Sequence, residues 1–82
     1  MPPLQSRTGS ASIVLGPGDL GMAVRAARKA HGLTQAELAG LAATGPRFVS
    51  ELERGKPSAE MGKVLDVLAV LGLRLVLEGT GT

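Results

Sequence analysis

The stretch GLTQAELAGLAATGPRFVSELERGK, residues 32–56, contains the signals for two short helices joined by a tight turn. Its first helix is predicted over residues 35–42, because Thr34 and Glu37 have the spacing of a capping box. In that motif the threonine hydroxyl accepts from the amide three residues on, and the glutamate side chain reaches back to the threonine amide. Local chemistry therefore predicts the start of this helix.

The second helix of the stretch is predicted to begin after Thr44, as its N-cap, and to end at Gly55. Pro46 falls in the first turn, where its missing amide hydrogen breaks no helical hydrogen bond. Pro57 follows the glycine and prevents the helix from continuing. The two helices are thus predicted to be separate and only about two turns long.

Apolar spacing predicts which side of each helix is buried. A steep crossing needs a small residue at the contact, here Ala39, and apolar anchors on the second helix, here Val49 and Leu52. Phe48 is predicted to pack with these anchors rather than to stack on a base. The outward side of the second helix then carries Pro46, Arg47, Ser50, Glu51 and Arg54. An outward helix face of this kind suits the major groove of DNA.

Two further helices are predicted, one on each side of this stretch. Pro17 suits the first position of a helix that runs to about Ala30. Ser58 is predicted to cap the last helix, which Gly72 closes. The apolar stripe of that last helix is predicted to comprise Met61, Val64, Leu65, Leu68 and Leu71.

The chain divides into four parts on composition and pattern. Residues 1–11 are rich in proline, serine and glycine, and are predicted to be a flexible N-terminal arm. Residues 12–72 form the helical domain. Residues 73–78 alternate leucine with other residues, which is the two-residue period of a strand. Residues 79–82 are predicted to be a loose tail.

The predicted strand needs a partner, because its backbone donors and acceptors must be paired. Two partners are possible: residues 12–15 of the same chain, or the same strand of a second copy. A small domain without disulfides often gains stability by dimerising. We therefore expect a homodimer sealed through Leu73, Leu75 and Leu77.

Composition excludes several other classes of site. The chain has 82 residues, no cysteine and one histidine, which excludes disulfides, thiolate metal sites and a cluster of histidine ligands within one chain. We expect neither a metal nor a cofactor. No apolar run is long enough to span a membrane, and the N-terminus lacks the apolar core of a signal peptide. A cytoplasmic protein with no membrane partner is expected, and its high pI, near 9.7, suits an anionic partner.

A second hypothesis concerns Gly16–Gly21, which fits the dinucleotide-binding pattern G-x-G-x-x-G after a short apolar run. Such a loop works only within a βαβ unit, and here the following segment is the capping-box helix. We therefore do not expect an enzyme. A third hypothesis is a protein-binding module without DNA affinity, against which Arg47, Arg54 and Lys56 argue.

Residues 17–72 resemble the lambda-repressor-like (XRE-type) helix-turn-helix domains through GLTQAELA, then FVSELERGKP, then the last helix. With the flanking strands, residues 12–78 resemble HipB-type antitoxins. The resemblance implies an all-α domain of four or five helices with a short C-terminal β-strand for dimerisation. One departure is Ala43, where the family usually has glycine, so either alanine adopts a left-handed conformation there or the turn differs slightly.

The resemblance also implies a function. HipB-type proteins are dimeric repressors that bind palindromic, inverted-repeat operators in double-stranded DNA and hold a HipA-type serine/threonine kinase toxin in a complex. The alternative is a stand-alone XRE-type regulator with no toxin partner. In either case binding blocks transcription, and no catalytic residue is expected.

Residue roles follow from these expectations. Arg47 is expected to contact a base, since arginine can bond guanine through two hydrogen bonds. The other candidates for base contact are Pro46, Ser50 and Glu51. Candidates for phosphate contact are Thr34, Gln35, Thr44, Arg54 and Lys56. Each charged candidate could instead be an ordinary solvated side chain. The resemblance further implies a buried structural ion pair between Arg28 and Glu53.

Overall fold

The computed structural model describes residues 12–79, so the predicted arm over residues 1–11 and most of the tail lie outside the described residues. Within this range the chain forms four α-helices. Their bounds are α1 Pro17–Ala30, α2 Gln35–Leu41, α3 Pro46–Glu53 and α4 Met61–Val70. The predicted all-α helical domain is confirmed.

Short-range signals place the start of α2 and the end of α1. Gly32 adopts φ +70° after α1, the left-handed conformation predicted for it. The capping box is present in full. The Glu37 amide donates to the Thr34 hydroxyl over 3.0 Å, and the Thr34 amide donates to the Glu37 carboxylate over 2.9 Å. Four residues between α1 and α2 are therefore enough to reverse the chain.

The turn between α2 and α3 differs from the prediction in its cap. Ala43 has φ +57°, so alanine does occupy the left-handed position. The N-cap of α3 is Gly45, with Pro46 as the first helical residue, and Thr44 makes no cap. Instead the Thr44 amide donates to the Ala39 carbonyl over 2.9 Å. This bond closes the turn and leaves the Thr44 side chain one residue too early to cap α3.

The connection from α3 to α4 also corrects a predicted cap. Gly55 ends α3 with φ +85°, as predicted. However, α4 begins after Glu60, which has extended backbone, and not after Ser58. Pro57 and Ser58 lie in a turn. Two more residues are therefore needed before the chain points along α4.

One core holds the four helices together. The side chains of Val24, Leu38, Val49 and Val67 are fully buried, one from each helix. The rest of the buried core consists of Ala39, Ala42, Leu52, Val64, Leu68 and Leu71. The predicted stripe of α4 was wrong at three positions, since Met61 and Leu65 are exposed and Val67 is buried. That helix is apolar on several sides, so periodicity alone does not select one.

The contact between α1 and α3 is unusually close at Gly21. A Cβ atom built there would lie 2.5 Å from the Leu52 carbonyl oxygen and 2.6 Å from that of Glu53. No side chain fits such a gap, because real Cβ contacts are never this short. A glycine at this position therefore lets the backbone of α1 rest directly on the end of α3.

The predicted strand over residues 73–78 is not formed in the single chain, where residues 73–79 have no regular secondary structure. Residues 12–15 are likewise neither helix nor strand. A strand requires a second backbone beside it, and the single chain does not supply one here. The segment leaves apolar side chains in solvent, and Leu77 is 97% exposed. Among the helices of the described residues, none is long and apolar enough to cross a membrane.

Candidate nucleic-acid interface

The two sides of α3 have opposite character. Val49 and Leu52 are buried in the core, and Phe48 is half-buried against it. The side chain of Arg47 points the other way and is 90% exposed. Pro46, Arg54 and Lys56 are also exposed on this side or just beyond it. The helix is thus anchored by its apolar side and presents cations to solvent.

A network of side chains covers the middle of this exposed side. Glu51 accepts from Nε of Arg47 over 3.2 Å through one carboxylate oxygen. Its other oxygen accepts from Nζ of Lys56 over 3.1 Å. These hydrogen bonds, from Lys56 first and Arg47 second, lower the pKa of the Glu51 carboxyl below its usual value. Two of the cations are therefore held by one carboxylate.

A second pair lies next to this network. Nη1 of Arg54 donates to the Ser50 hydroxyl over 2.7 Å. The two residues are one helical turn apart, which brings their side chains together. Ser50 is half-buried, whereas Arg54 is exposed. The serine therefore orients the arginine along the surface of α3.

The candidate phosphate contacts from α2 and the turn already have partners within the protein or are partly buried. The Thr34 hydroxyl belongs to the capping box. The Gln35 amide group donates to a carboxylate oxygen of Glu53 over 3.0 Å. The Thr44 hydroxyl is buried and has no hydrogen-bond partner among the described residues. Thr34 is thus exposed but engaged in its cap, Gln35 and Thr44 are half-buried, and Arg54 and Lys56 are exposed.

Arg28 and Glu53 meet inside the protein. Nε of Arg28 lies 2.6 Å from one carboxylate oxygen of Glu53, and Nη2 lies 3.0 Å from the other. The third nitrogen of the guanidinium, Nη1, donates to the Leu33 carbonyl over 2.8 Å. The pair therefore ties α1 to the end of α3 and to the loop before α2.

Burial and hydrogen bonding oppose each other at this pair. Desolvation raises the pKa of Glu53, but the hydrogen bonds from Arg28 and Gln35 outweigh it, so the pKa is lowered. The hydrogen bond to Glu53 raises the pKa of Arg28. Both groups are consequently charged at neutral pH, and each needs the other.

The hydrogen bond from Gln35 to Glu53 could not be predicted from the sequence. No local signal marks it, because the two residues are 18 positions apart. The pairing of Arg47 with Glu51 was also not predicted, although their spacing of four on one helix is a detectable signal.

The glycine pattern at Gly16–Gly21 has a packing role in this structure. Pro17 is the first residue of α1, and Gly21 lies against the carbonyls of α3. The parallel strands that a dinucleotide-binding loop requires are absent from residues 12–79. The geometry therefore gives no support to the dinucleotide hypothesis.

Comparisons with known proteins agree with this geometry. A family model described as helix-turn-helix (HTH_3) matches residues 24–77. A relative in Sinorhizobium fredii, named as an uncharacterized HTH-type transcriptional regulator, y4mF, is 49% identical over 65 residues. That match covers 79% of this chain and 86% of the relative.

Two solved structures share the fold. A HipB variant in complex with an O2 20mer superposes with a TM-score of 0.79 at 25% identity, over 87% of this chain and 99% of that one. A chain of a HipA–HipB–O2–O3 complex superposes with a TM-score of 0.77 at 24% identity, over 85% of this chain and 99% of that one. The family match and the close relative lead to one conclusion: this chain belongs to the XRE-type helix-turn-helix family of DNA-binding transcriptional regulators.

Proposed function

We propose that the protein is a transcriptional repressor that binds an inverted-repeat operator as a homodimer, with α3 in the major groove. The observation that carries this proposal is the two-sided character of α3. Val49 and Leu52 fix the helix to the core, while Arg47 extends into solvent with its side chain 90% exposed. A short helix held in this way can enter the major groove of DNA while its contacts with the protein core stay intact.

Base contacts are proposed for the outward residues of α3. With Nε of Arg47 bonded to Glu51, its two terminal nitrogens are left to contact guanine. A bidentate contact of this kind discriminates against a wrong base by about 1–3 kcal/mol. Pro46 and Ser50 lie beside it and are proposed to touch neighbouring base edges. Pro46 has no amide hydrogen to donate and supplies apolar contact only.

Phosphate contacts are proposed for the cations at the end of α3. Arg54 and Lys56 are exposed there, so they can follow the DNA backbone on either side of the groove. Thr34, Gln35 and Thr44 flank the same surface, and we propose that this part of the chain lies along the backbone too. Since Gln35 and Thr44 are half-buried and Nζ of Lys56 is bonded to Glu51, the exposed Arg54 is proposed to supply the largest share of the phosphate affinity.

Dimerisation is proposed to use the C-terminal segment. Residues 73–77 leave Leu73, Leu75, Val76 and Leu77 exposed, which is a large apolar area for so small a chain. Pairing this segment with its copy would cover the leucines and satisfy the backbone. Two recognition helices about 34 Å apart would then reach successive major grooves.

A toxin partner is a further part of this proposal. The similarity to a chain of a HipA–HipB–O2–O3 complex supports a HipA-type kinase as the partner. The relative in Sinorhizobium fredii, named only as a transcriptional regulator, supports the alternative of a stand-alone regulator. Co-expression with the product of the neighbouring gene separates the two, because a stable complex is expected only in the first case.

The deciding experiment is a footprint on the promoter region of the protein's own gene at two salt concentrations. We expect a protected inverted repeat whose affinity falls steeply with salt. Arg47→Ala should reduce discrimination between this repeat and a scrambled duplex by about 1–3 kcal/mol, the contribution of one bidentate contact. Arg47→Lys, which keeps the charge but not the planar fork, should retain nonspecific affinity and still lose discrimination. Unchanged discrimination in both variants would contradict the proposed use of α3.

A further inference from the structure

We infer that Glu51 is a positioning residue for sequence recognition: its carboxylate holds Arg47 in the orientation that reads guanine and restrains Lys56 from binding DNA indiscriminately. This inference rests on the proposed function and adds to it. The assignment differs from the expectation that Glu51 itself contacts a base. Glu51 is an acidic residue among the cations of a surface that is proposed to bind DNA.

The geometry of Glu51 leaves little of it free to read a base. Each of its two carboxylate oxygens already accepts from a cation, Arg47 over 3.2 Å and Lys56 over 3.1 Å. The Glu51 side chain is only 23% exposed, whereas the Arg47 side chain beyond it is 90% exposed. A cytosine amino group would have to displace one of these partners to reach the carboxylate.

The atom through which Arg47 is held explains the positioning. A guanidinium has five N–H donors in a planar fork, and here Glu51 uses the one on Nε. The two terminal nitrogens stay free at the outer end of the side chain. They have the separation that matches O6 and N7 of guanine. A long side chain held at Nε also loses less rotamer freedom when it binds.

The Glu51 carboxylate supports the specific contact, but it weakens nonspecific binding to DNA. It places a negative charge beside the phosphates and keeps Nζ of Lys56 engaged within the protein. Each cation that neutralises a phosphate releases counterions and strengthens nonspecific binding. Glu51 therefore weakens nonspecific affinity while it supports the specific contact.

Glu51→Gln is the variant that separates these effects, because it removes the charge and keeps the size of the side chain. Binding is measured for the native inverted repeat, for a scrambled duplex of the same length, and for both at several salt concentrations. We expect tighter binding to the scrambled duplex, a steeper salt dependence and a fall of about five-fold or more in the ratio of specific to nonspecific affinity.

Glu60→Gln is the matched control. Glu60 is exposed and lies 3.8 Å from Lys63, so this variant makes the same change of charge in another surface pair. We expect the specificity ratio of this variant to stay at the wild-type value. A double-variant cycle with Arg47→Ala completes the design. If Glu51 acts through Arg47, Glu51→Gln should lower the ratio less once Arg47 is alanine, while the tighter binding to the scrambled duplex through Lys56 should persist.

Different outcomes of these experiments contradict the inference alone and the proposed function. A wild-type protein that discriminates, together with a Glu51→Gln variant of unchanged ratio, overturns the inference and leaves the proposed function standing. Equal loss of affinity for both duplexes also overturns it, since that is the behaviour of a merely structural residue. A wild-type protein that binds both duplexes equally contradicts the proposed function and this inference with it.

Discussion

Two glutamates of α3, Glu51 and Glu53, stand two residues apart and have opposite surroundings. Both accept hydrogen bonds from an arginine and from a second donor. The side chain of Glu53 is 3% exposed, and that of Glu51 is 23% exposed. Residues two apart on a helix point roughly 200° away from each other, so one faces α1 and the other faces solvent. The same chemistry therefore serves the scaffold at one position and the binding surface at the other.

Glu53→Ala tests the structural role of the buried glutamate, and we expect it to cause the largest loss of stability. Removing the carboxylate strands the buried Arg28 guanidinium, which costs about 3–5 kcal/mol. Thermal unfolding followed by circular dichroism measures the effect. Glu60→Ala is the control, because its exposed pair should contribute little. An unchanged Tm in Glu53→Ala would show that the pair does not hold α1 to α3.

Gly21→Ala tests the close approach that buries Glu53. The added methyl would collide with the Leu52 and Glu53 carbonyls, so α1 must move away from α3. Overpacking of this kind costs about 1–3 kcal/mol. Gly40→Ala is the matched control within α2, since a Cβ atom there meets no neighbour within 4 Å. It should raise stability by up to about 1 kcal/mol, and equal effects at the two glycines would refute the packing argument.

The pH dependence of folding tests the contribution of the buried Glu53 carboxylate. Because the folded-state pKa of Glu53 is lowered, its contribution to stability is complete above the unfolded value of about 4.3. That contribution is lost as the pH falls below 4.3 and through the folded pKa. Urea unfolding between pH 7 and pH 2 is the measurement. We expect a smaller loss in Glu53→Gln than in the wild type, and identical slopes would contradict this assignment.

Glu51→Gln is expected to have the smallest effect on folding. Its pairs are exposed on the surface of α3, where side-chain entropy and solvent offset most of the attraction. The change in Tm should be within the range of ordinary surface substitutions and should vanish in high salt. A loss of stability as large as that of Glu53→Ala would mean that Glu51 belongs to the scaffold and not to the binding surface.

Helix ends were the most predictable part of this molecule. Thr34 with Glu37, and the left-handed residues at Gly32 and Gly55, are all where the residue pattern indicated. Each of these features depends on contacts within about five positions along the chain. The pattern failed at Thr44 and at Ser58, because the path of the backbone before α3 and α4 placed Gly45 and Glu60 at the caps instead.

Packing was less predictable where the residues offered more than one solution. The segment that forms α4 has apolar side chains on several faces, and only contact with α2 and the core selected Val67 over Met61 and Leu65. Residues 73–78 have the period of a strand, yet a strand forms only beside another backbone. The pair of Arg28 and Glu53 was indicated by resemblance alone, and the bond from Gln35 to Glu53 by nothing in the sequence.

The capping box of Thr34 and Glu37, the glycines that end α1 and α3, and the outward Arg47 could be inferred from the chain alone, because hydrogen bonds between near neighbours and the period of a helix need no distant partner. The same period placed Glu51 on the outward side, but it did not decide whether the Glu53 carboxylate would be buried. That choice depends on α1 resting against the end of α3 at Gly21, a contact between residues more than thirty positions apart. A carboxylate loses its contact with water only when such a tertiary contact covers it. This burial makes Glu53 structural, whereas Glu51 stays at the surface.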